Sequence, residues 1–137
     1  MAEGKDLARS LAGLALFADL GEPDLEAIAD PEHERRFSAG ERVLRKGLSG
    51  AGFYVVLEGE AAVEIEGREP RILRRGDFFG EVSTLLGSTP AADVVARTPL
   101  HCLEIPGPRL EKFLLSYPRV MLRMLQTVTR RLQDVLE

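Results

Sequence analysis

The chain has 137 residues, of which 45% are hydrophobic and 29% are charged, and its formal net charge is −4. This length and composition predict one globular domain, residues 1–137, with a core of its own. The acidic balance argues against nucleic-acid binding by this chain alone, and no apolar run is long enough to span a membrane. The single cysteine, Cys102, excludes an internal disulfide and favours a reducing, cytoplasmic location.

Residues 1–30 are predicted to form N-terminal helices. Four apolar residues recur there at helical spacing: Leu7, Leu11, Leu14 and Phe17. They indicate an amphipathic helix over residues 5–17. A second, short helix is expected over residues 21–29, where Pro23 suits the first helical turn.

Between residues 33 and 105 the pattern changes to short strands separated by glycine turns. The expected strands are Arg36–Phe37, Val43–Leu44, Phe53–Leu57, Ala61–Ile65, Arg71–Leu73, Asp93–Arg97 and Leu100–Ile105. Closely spaced antiparallel strands of this kind predict a β-roll, that is, a double-stranded β-helix or jelly roll. The predicted fold class is therefore mainly β with flanking helices.

The helical period returns over residues 107–137, where Pro108 can open one helix and Tyr117–Pro118 separates it from a long C-terminal helix. Five apolar residues of the long helix alternate in steps of four and three: Met121, Leu125, Val128, Leu132 and Val135. This spacing is typical of a coiled-coil seam and predicts a homodimer. The alternative is that the same stripe packs against the chain's own core.

The segment most informative about function is residues 76–96. Its sequence predicts a glycine turn, then a short helical turn, then a loop of small residues. Backbone N–H groups at the start of such a turn can form an anion cradle. Gly80 allows a ligand to approach the backbone closely, and Glu81 can accept a hydrogen bond from a sugar hydroxyl. Alternatively, Glu81 caps the helical turn or pairs with an arginine.

Residues 79–94 resemble the phosphate-binding cassette of cyclic-nucleotide-binding domains. The resemblance rests on two runs, Phe79-Gly80-Glu81-Val82-Ser83 and Ala91-Ala92-Asp93-Val94. The family includes the catabolite activator protein and the regulatory subunits of cyclic-AMP-dependent protein kinase. The resemblance covers nearly the whole chain, including the C-terminal helix through which family transcription factors dimerise. It implies a non-catalytic sensor that regulates a downstream protein in signal transduction.

The resemblance also implies roles for single residues. Glu81 is expected to bind the ribose 2′-hydroxyl, and Phe79 and Gly80 belong to the same site. The backbone amides expected near the phosphate are those of Val82, Ser83, Ala91 and Ala92. Family members that select cyclic GMP often carry threonine where this chain has Ala91, so the resemblance favours cAMP as the ligand.

One departure from the family pattern concerns the phosphate. In the family, an arginine next to the small-residue pair clamps the exocyclic phosphate oxygens, and Pro90 holds that place here. Proline supplies neither a charge nor an N–H, so cAMP binding is expected to be weak or lost. Arg74, Arg75 or Arg97 would compensate only if its guanidinium group reached the pocket.

The sequence also bears on other classes of function. Pro90 fits a degenerate, ligand-free interaction or dimerisation module, and the chain could instead be the sensory half of a transcription regulator. No helix-turn-helix is predicted in it, so we expect no specific DNA binding by this chain alone. A metal-dependent barrel enzyme needs several converging nitrogen ligands, whereas the two histidines, His33 and His101, lie far apart in the sequence. No metal ligand and no catalytic residue is therefore expected.

Overall fold

The computed structural model describes residues 2–48 and 52–136, which form two compact units. The first, here called the helical unit, consists of the residues up to Ala29 and those from Glu111 onward. The second, here called the β unit, consists of Asp30–Leu110. Within the described residues, no helix combines the length and the apolar character needed to cross a bilayer.

The N-terminal part of the helical unit has three elements: α1 (Ala2–Ala12), a 3-10 turn (Ala15–Phe17) and α2 (Glu22–Ile28). The prediction of one helix over residues 5–17 was wrong in its length, because Leu14 is extended, with φ −96° and ψ 137°. Gly13 lies at this break, and glycine destabilises a helix interior by about 1 kcal/mol relative to alanine. The predicted apolar face survives the break, since Leu11, Leu14 and Phe17 are all buried.

The last two helices of the chain are α4 (Gly107–Ser116) and α5 (Pro118–Leu136). Pro118 opens α5, where its missing N–H is not needed for the helical hydrogen bonds. The buried residues of α5 are Val120 and Met124. The predicted seam residues are more exposed: Met121 38%, Leu125 59%, Leu132 58% and Val135 60%, with Val128 half-buried. Four of the five predicted seam residues thus lie outside the core-facing stripe of α5.

The described residues of the β unit form eight strands: β1 (Glu34–Phe37), β2 (Arg42–Leu44), β3 (Phe53–Glu58), β4 (Ala61–Glu64), β5 (Arg71–Leu73), β6 (Phe78–Phe79), β7 (Asp93–Ala96) and β8 (Leu100–Ile105). They form two antiparallel four-stranded sheets with the orders β1-β8-β3-β6 and β2-β7-β4-β5. This architecture confirms the predicted fold class of antiparallel β-roll with flanking helices. Only β6 was missed, because a two-residue strand is too short to show a period.

The core of the β unit draws buried residues from both sheets: Leu44, Tyr54, Val56, Ala61, Leu73, Phe79, Val94, Ala96, Leu100 and Cys102. Burial raises the pKa of the Cys102 thiol to about 12, as expected for a packed side chain rather than a nucleophile. Tyr54 of β3 stacks on Phe79 of β6, with ring centroids 4.9 Å apart and an interplanar angle of 7°. This stacking holds the chain in place at the start of the predicted cassette.

Candidate ligand-binding site

The helical turn predicted within residues 79–86 is present as α3 (Glu81–Leu86), which follows β6 after one residue, Gly80. Gly80 has φ +88°, in the left-handed region that costs other residues strain. A Cβ atom at this position would collide with the carbonyl oxygen of Gly52. The junction between strand and helix therefore requires glycine, both for its backbone conformation and for its packing.

Glu81 and Ser83 lie on the first turn of α3 and are the polar members of the buried set among the described residues, 7% and 6% exposed. A carboxylate in the first turn interacts favourably with the helix dipole. Burial of a carboxylate nevertheless costs free energy unless polar groups compensate it. Glu81 has an interaction partner within the chain, and it also lines the cavity described below. Its carboxylate oxygens accept hydrogen bonds, which makes Glu81 a candidate for recognising the hydroxyl groups of a ligand.

The β unit contains an open concavity of about 150 Å³, here called the cassette cavity. Its lining residues are Leu44, Val63, Arg71, Phe79, Gly80, Glu81, Val82, Ser83, Pro90, Ala91, Ala92 and Val94. All eight residues that the sequence analysis assigned to ligand binding are among them. The fold thus brings both runs of the predicted cassette to one cavity.

Pro90 is buried in the wall of this cavity, and its carbonyl oxygen accepts a hydrogen bond from the Gly47 N–H at 3.0 Å. Nearby, Asp93 Oδ1 accepts a hydrogen bond from the Lys46 N–H at 2.7 Å, and Asp93 Oδ2 lies 3.6 Å from Arg42 Nε. These contacts link β2 and the loop after it to the cassette. The negative charge of Asp93 is therefore directed to this loop, and Asp93 is absent from the described lining of the cavity.

None of the three arginines considered as substitutes for the missing clamp lines the cassette cavity, as far as the described residues show. Arg74 Nε lies 3.1 Å from Glu60 Oε2. Arg75 Nη1 donates a hydrogen bond to the Leu57 carbonyl oxygen at 3.0 Å. Arg97 is exposed. The structure thus places these three guanidinium groups outside the predicted site.

A fourth arginine, Arg71, does line the cavity, and the sequence analysis missed it. Arg71 begins β5 and pairs with Val63 of β4, which pairs on its other side with Val94 of β7. Its place in the site depends on strand pairing between distant parts of the chain, so no local sequence motif marks it.

His33 and His101 both lie in the β unit. Within the described residues, no three His, Cys, Asp or Glu side chains are grouped in a way that could hold a metal ion. His101 Nε2 lies 2.6 Å from Glu34 Oε2, across neighbouring strands of one sheet. This contact gives His101 a structural partner.

Comparison with known proteins identifies the family. The profile of the cyclic nucleotide-binding domain matches residues 34–117. The cGMP-dependent protein kinase egl-4 of Caenorhabditis briggsae is 36% identical over 95 residues, which are 65% of this chain and 13% of the kinase. The chain thus spans about an eighth of that relative's length.

Solved structures share the fold. PKAR CBD2 bound to Sp-2Cl-cAMPS superposes with a TM-score of 0.79 at 17% identity, covering 98% of this chain and 92% of that one. The regulatory subunit of a cAMP-independent protein kinase A from Trypanosoma cruzi, bound to guanosine, has a TM-score of 0.74 at 22% identity, covering 98% of this chain and 50% of that one. Since the family profile covers more than half of the chain, the chain belongs to the family of cyclic nucleotide-binding regulatory domains.

Proposed function

We propose that residues 1–137 act as one non-catalytic regulatory domain, which binds a cyclic purine nucleotide in the cassette cavity and passes the signal to a partner protein in the cytoplasm. One observation carries this proposal: the eight residues assigned to ligand binding from the sequence all line the same cavity. They are Phe79, Gly80, Glu81, Val82, Ser83, Pro90, Ala91 and Ala92.

Each part of the cavity suits one part of such a ligand. The Glu81 carboxylate accepts hydrogen bonds from the ribose hydroxyls. The backbone amides of α3 and of Ala91–Ala92 face the phosphate, while the apolar side chains of Leu44, Val63 and Val94 suit the purine ring. The small side chain of Ala91, in place of threonine, favours cAMP over cyclic GMP.

Pro90 makes this binding weaker than an arginine at the same position would. A hydrogen bond to a charged group contributes about 1.5–3 kcal/mol, and about 1.4 kcal/mol corresponds to tenfold in affinity. We therefore expect the affinity for cAMP to be at least tenfold below that of a cassette with the arginine present.

Isothermal titration of the purified chain with cAMP, cyclic GMP, adenosine and guanosine at fixed ionic strength tests the proposal. We expect cAMP to bind, and Glu81→Gln to weaken it about tenfold, the loss for a hydrogen bond to a charged acceptor. Glu64→Gln is the matched control, because Glu64 is exposed on β4 and outside the described cavity lining. Equal affinities of both variants and the wild type would contradict the assigned role of Glu81.

An uncharged purine nucleoside is the second candidate ligand. Pro90 favours it, since a nucleoside has no phosphate charge to neutralise, and a structurally similar regulatory subunit from Trypanosoma cruzi is bound to guanosine. In the same titration, tighter binding of adenosine or guanosine than of either cyclic nucleotide would select this candidate. Absence of binding by all four compounds would favour a ligand-free interaction module.

We further propose that the domain forms a homodimer through α5. The seam residues Met121, Leu125, Leu132 and Val135 are all more than a third exposed. Exposed apolar residues in a continuous heptad pattern are typical of helices that pair with a second copy. Leu136, 77% exposed, extends the same apolar surface toward the end of the helix.

A further inference from the structure

Three residues lie side by side across the sheet β1-β8-β3-β6 and end at the cassette cavity. Glu104 of β8 is in register with Tyr54 of β3, and Tyr54 is in register with Phe79 of β6. Residues that lie directly opposite each other on antiparallel strands project from the same face of the sheet. Phe79 lines the cavity, whereas Tyr54 and Glu104 are absent from its described lining. The row therefore connects the cavity wall with side chains that lie behind it.

The members of this row are in contact with one another. The ring of Tyr54, a residue only 8% exposed, stacks on the ring of Phe79. On its other side Tyr54 forms a side-chain hydrogen bond with Glu104. Burial and then this hydrogen bond raise the pKa of Tyr54 above its ordinary value of 10.0. The hydroxyl group is thus protonated at neutral pH and donates to the Glu104 carboxylate.

Arg35 holds the far end of the row. Its Nε lies 3.0 Å from Glu104 Oε1. Its Nη1 donates hydrogen bonds to the carbonyl oxygens of Glu32 and Glu34, at 2.7 Å and 2.8 Å. The Glu104 side chain is only 15% exposed, and a carboxylate in such a place needs partners that compensate its charge. Arg35 and Tyr54 are these partners, and together they restrain Glu104.

Glu104 also contacts the residue that packs against Gly80. A Cβ atom on Gly52 would lie 2.8 Å from Glu104 Oε2, so these two residues are closely packed. The carbonyl oxygen of Gly52 in turn leaves no room for a Cβ atom on Gly80. Phe79 thus packs on Tyr54, and Gly80 packs on Gly52. Both of these contacts lead from Glu104 to the first two residues of the cassette.

We propose that Glu104 and Tyr54 are positioning residues of the ligand site: they do not line the cavity, but they hold Phe79 and Gly80 in the positions from which these residues form its wall. This inference rests on the proposed function. Glu81, which is assigned to the ribose, follows Gly80 directly, so a displacement of Gly80 also moves Glu81. Directional contacts weaken when their groups move by about 0.5 Å or more. Ligand affinity should therefore depend on a hydrogen bond that lies outside the cavity.

The test removes this hydrogen bond and keeps the ring. Tyr54→Phe preserves the stacking on Phe79 and leaves Glu104 paired with Arg35. Calorimetric titration uses whichever of the four compounds named above the wild type binds most tightly. We expect Tyr54→Phe to weaken binding about threefold to tenfold, as for the loss of one hydrogen bond. Glu104→Ala should weaken it by about tenfold or more, because the contact with Gly52 is lost as well. In the Glu104→Ala background, Tyr54→Phe should have little further effect, since its acceptor is already gone.

Glu34→Ala is the matched control. Glu34 is a partly buried glutamate of the same sheet, paired with His101 and Arg36, and it is absent from the described cavity lining. Urea unfolding measures the stability of every variant beside its affinity. We expect Glu34→Ala to lose stability and to keep the wild-type affinity. A purely structural role would lower the stability of Tyr54→Phe and Glu104→Ala and leave their affinities unchanged.

Two results would overturn the proposal and leave the proposed function intact. One is an unchanged ligand affinity in Tyr54→Phe and Glu104→Ala. The other is a loss of affinity in Glu34→Ala as large as that in Glu104→Ala, because affinity would then follow general stability. If Glu104→Ala does not fold, the affinity of Tyr54→Phe decides the question. A wild type that binds none of the four compounds would instead refute the proposed function, and this inference with it.

Discussion

Arg123 donates two hydrogen bonds to the carboxylate of Asp19, from Nε to Oδ2 at 2.8 Å and from Nη2 to Oδ1 at 3.0 Å. Arg119 Nη2 lies 3.6 Å from Asp19 Oδ1. Both arginines belong to α5, whereas Asp19 follows the 3-10 turn, so this contact fastens that turn to α5 within the helical unit. The hydrogen bond from Arg123 is the main reason why the pKa of Asp19 lies below its ordinary value of 3.8.

We therefore expect Asp19→Asn to lower the melting temperature modestly at neutral pH. A carboxyl group with a lowered folded-state pKa contributes stability above its unfolded pKa, and the contribution is lost as pH falls through the folded pKa. The difference in melting temperature from the wild type should thus be constant above about pH 5 and shrink below about pH 4. Asp134→Asn, an exposed change on α5, is the control. A pH-independent difference would show that the contact is not electrostatic.

Pro90→Arg should strengthen cAMP binding about tenfold or more, because it restores both a positive charge and a bidentate donor at the cavity wall. The carbonyl group that accepts the Gly47 hydrogen bond is kept, although the backbone loses the restraint of proline. Thr89→Arg adds the same charge one residue earlier, at an exposed position, and controls for general attraction. Calorimetric titration measures the effect, and an equal gain in both variants would count against a specific clamp.

Leu125→Glu combined with Leu132→Glu should give a folded monomer, because two charges would face each other across the proposed seam. Light scattering after size exclusion measures the mass, and circular dichroism shows whether the helices are kept. Gln126→Glu with Gln133→Glu adds the same two charges at exposed neighbouring positions and should leave the dimer intact. A wild type that is monomeric at high concentration would refute the seam.

Gly80→Ala should destabilise the chain more than Gly87→Ala, although both glycines have positive φ and flank α3. Alanine at Gly87 meets no atom within 4 Å and should cost only the left-handed strain, about 1–2 kcal/mol. Alanine at Gly80 adds the collision with the Gly52 carbonyl oxygen, for a total of about 3 kcal/mol or more. Urea unfolding of the two variants measures the difference, and equal losses would mean that the backbone at Gly52, just before β3, shifts at little cost.

Local patterns in the sequence predicted much of this fold. Glycine turns between apolar runs indicated seven of the eight strands found among the described residues, because side-chain alternation and turn chemistry act over a few residues. The helix break before the 3-10 turn was missed, since Leu7, Leu11, Leu14 and Phe17 have helical spacing whether or not the backbone remains helical. The helical spacing predicts which residues are buried, and all four of these residues are buried in the structure.

The cassette could also be predicted from the sequence, because residues 79–94 are consecutive in the chain. The glycine, the acidic residue and the small residues of this stretch can each be explained by the chemistry of their immediate neighbours. The sequence alone thus determined the family, the fold class and the eight candidate binding residues. The position of Asp93 required the structure: its carboxylate turns to the Lys46 N–H and to Arg42, neither of which is its neighbour in sequence.

Only the tertiary structure showed which positive charge the cavity contains. Arg71 reaches it because β4 pairs with both β5 and β7, and these pairings join segments that no local pattern relates. Strand order depends on which apolar faces bury each other across the whole chain, whereas the identity of a strand depends on neighbouring side chains. Sequence reasoning therefore singled out Pro90, and the fold showed that Arg71 lines the same cavity.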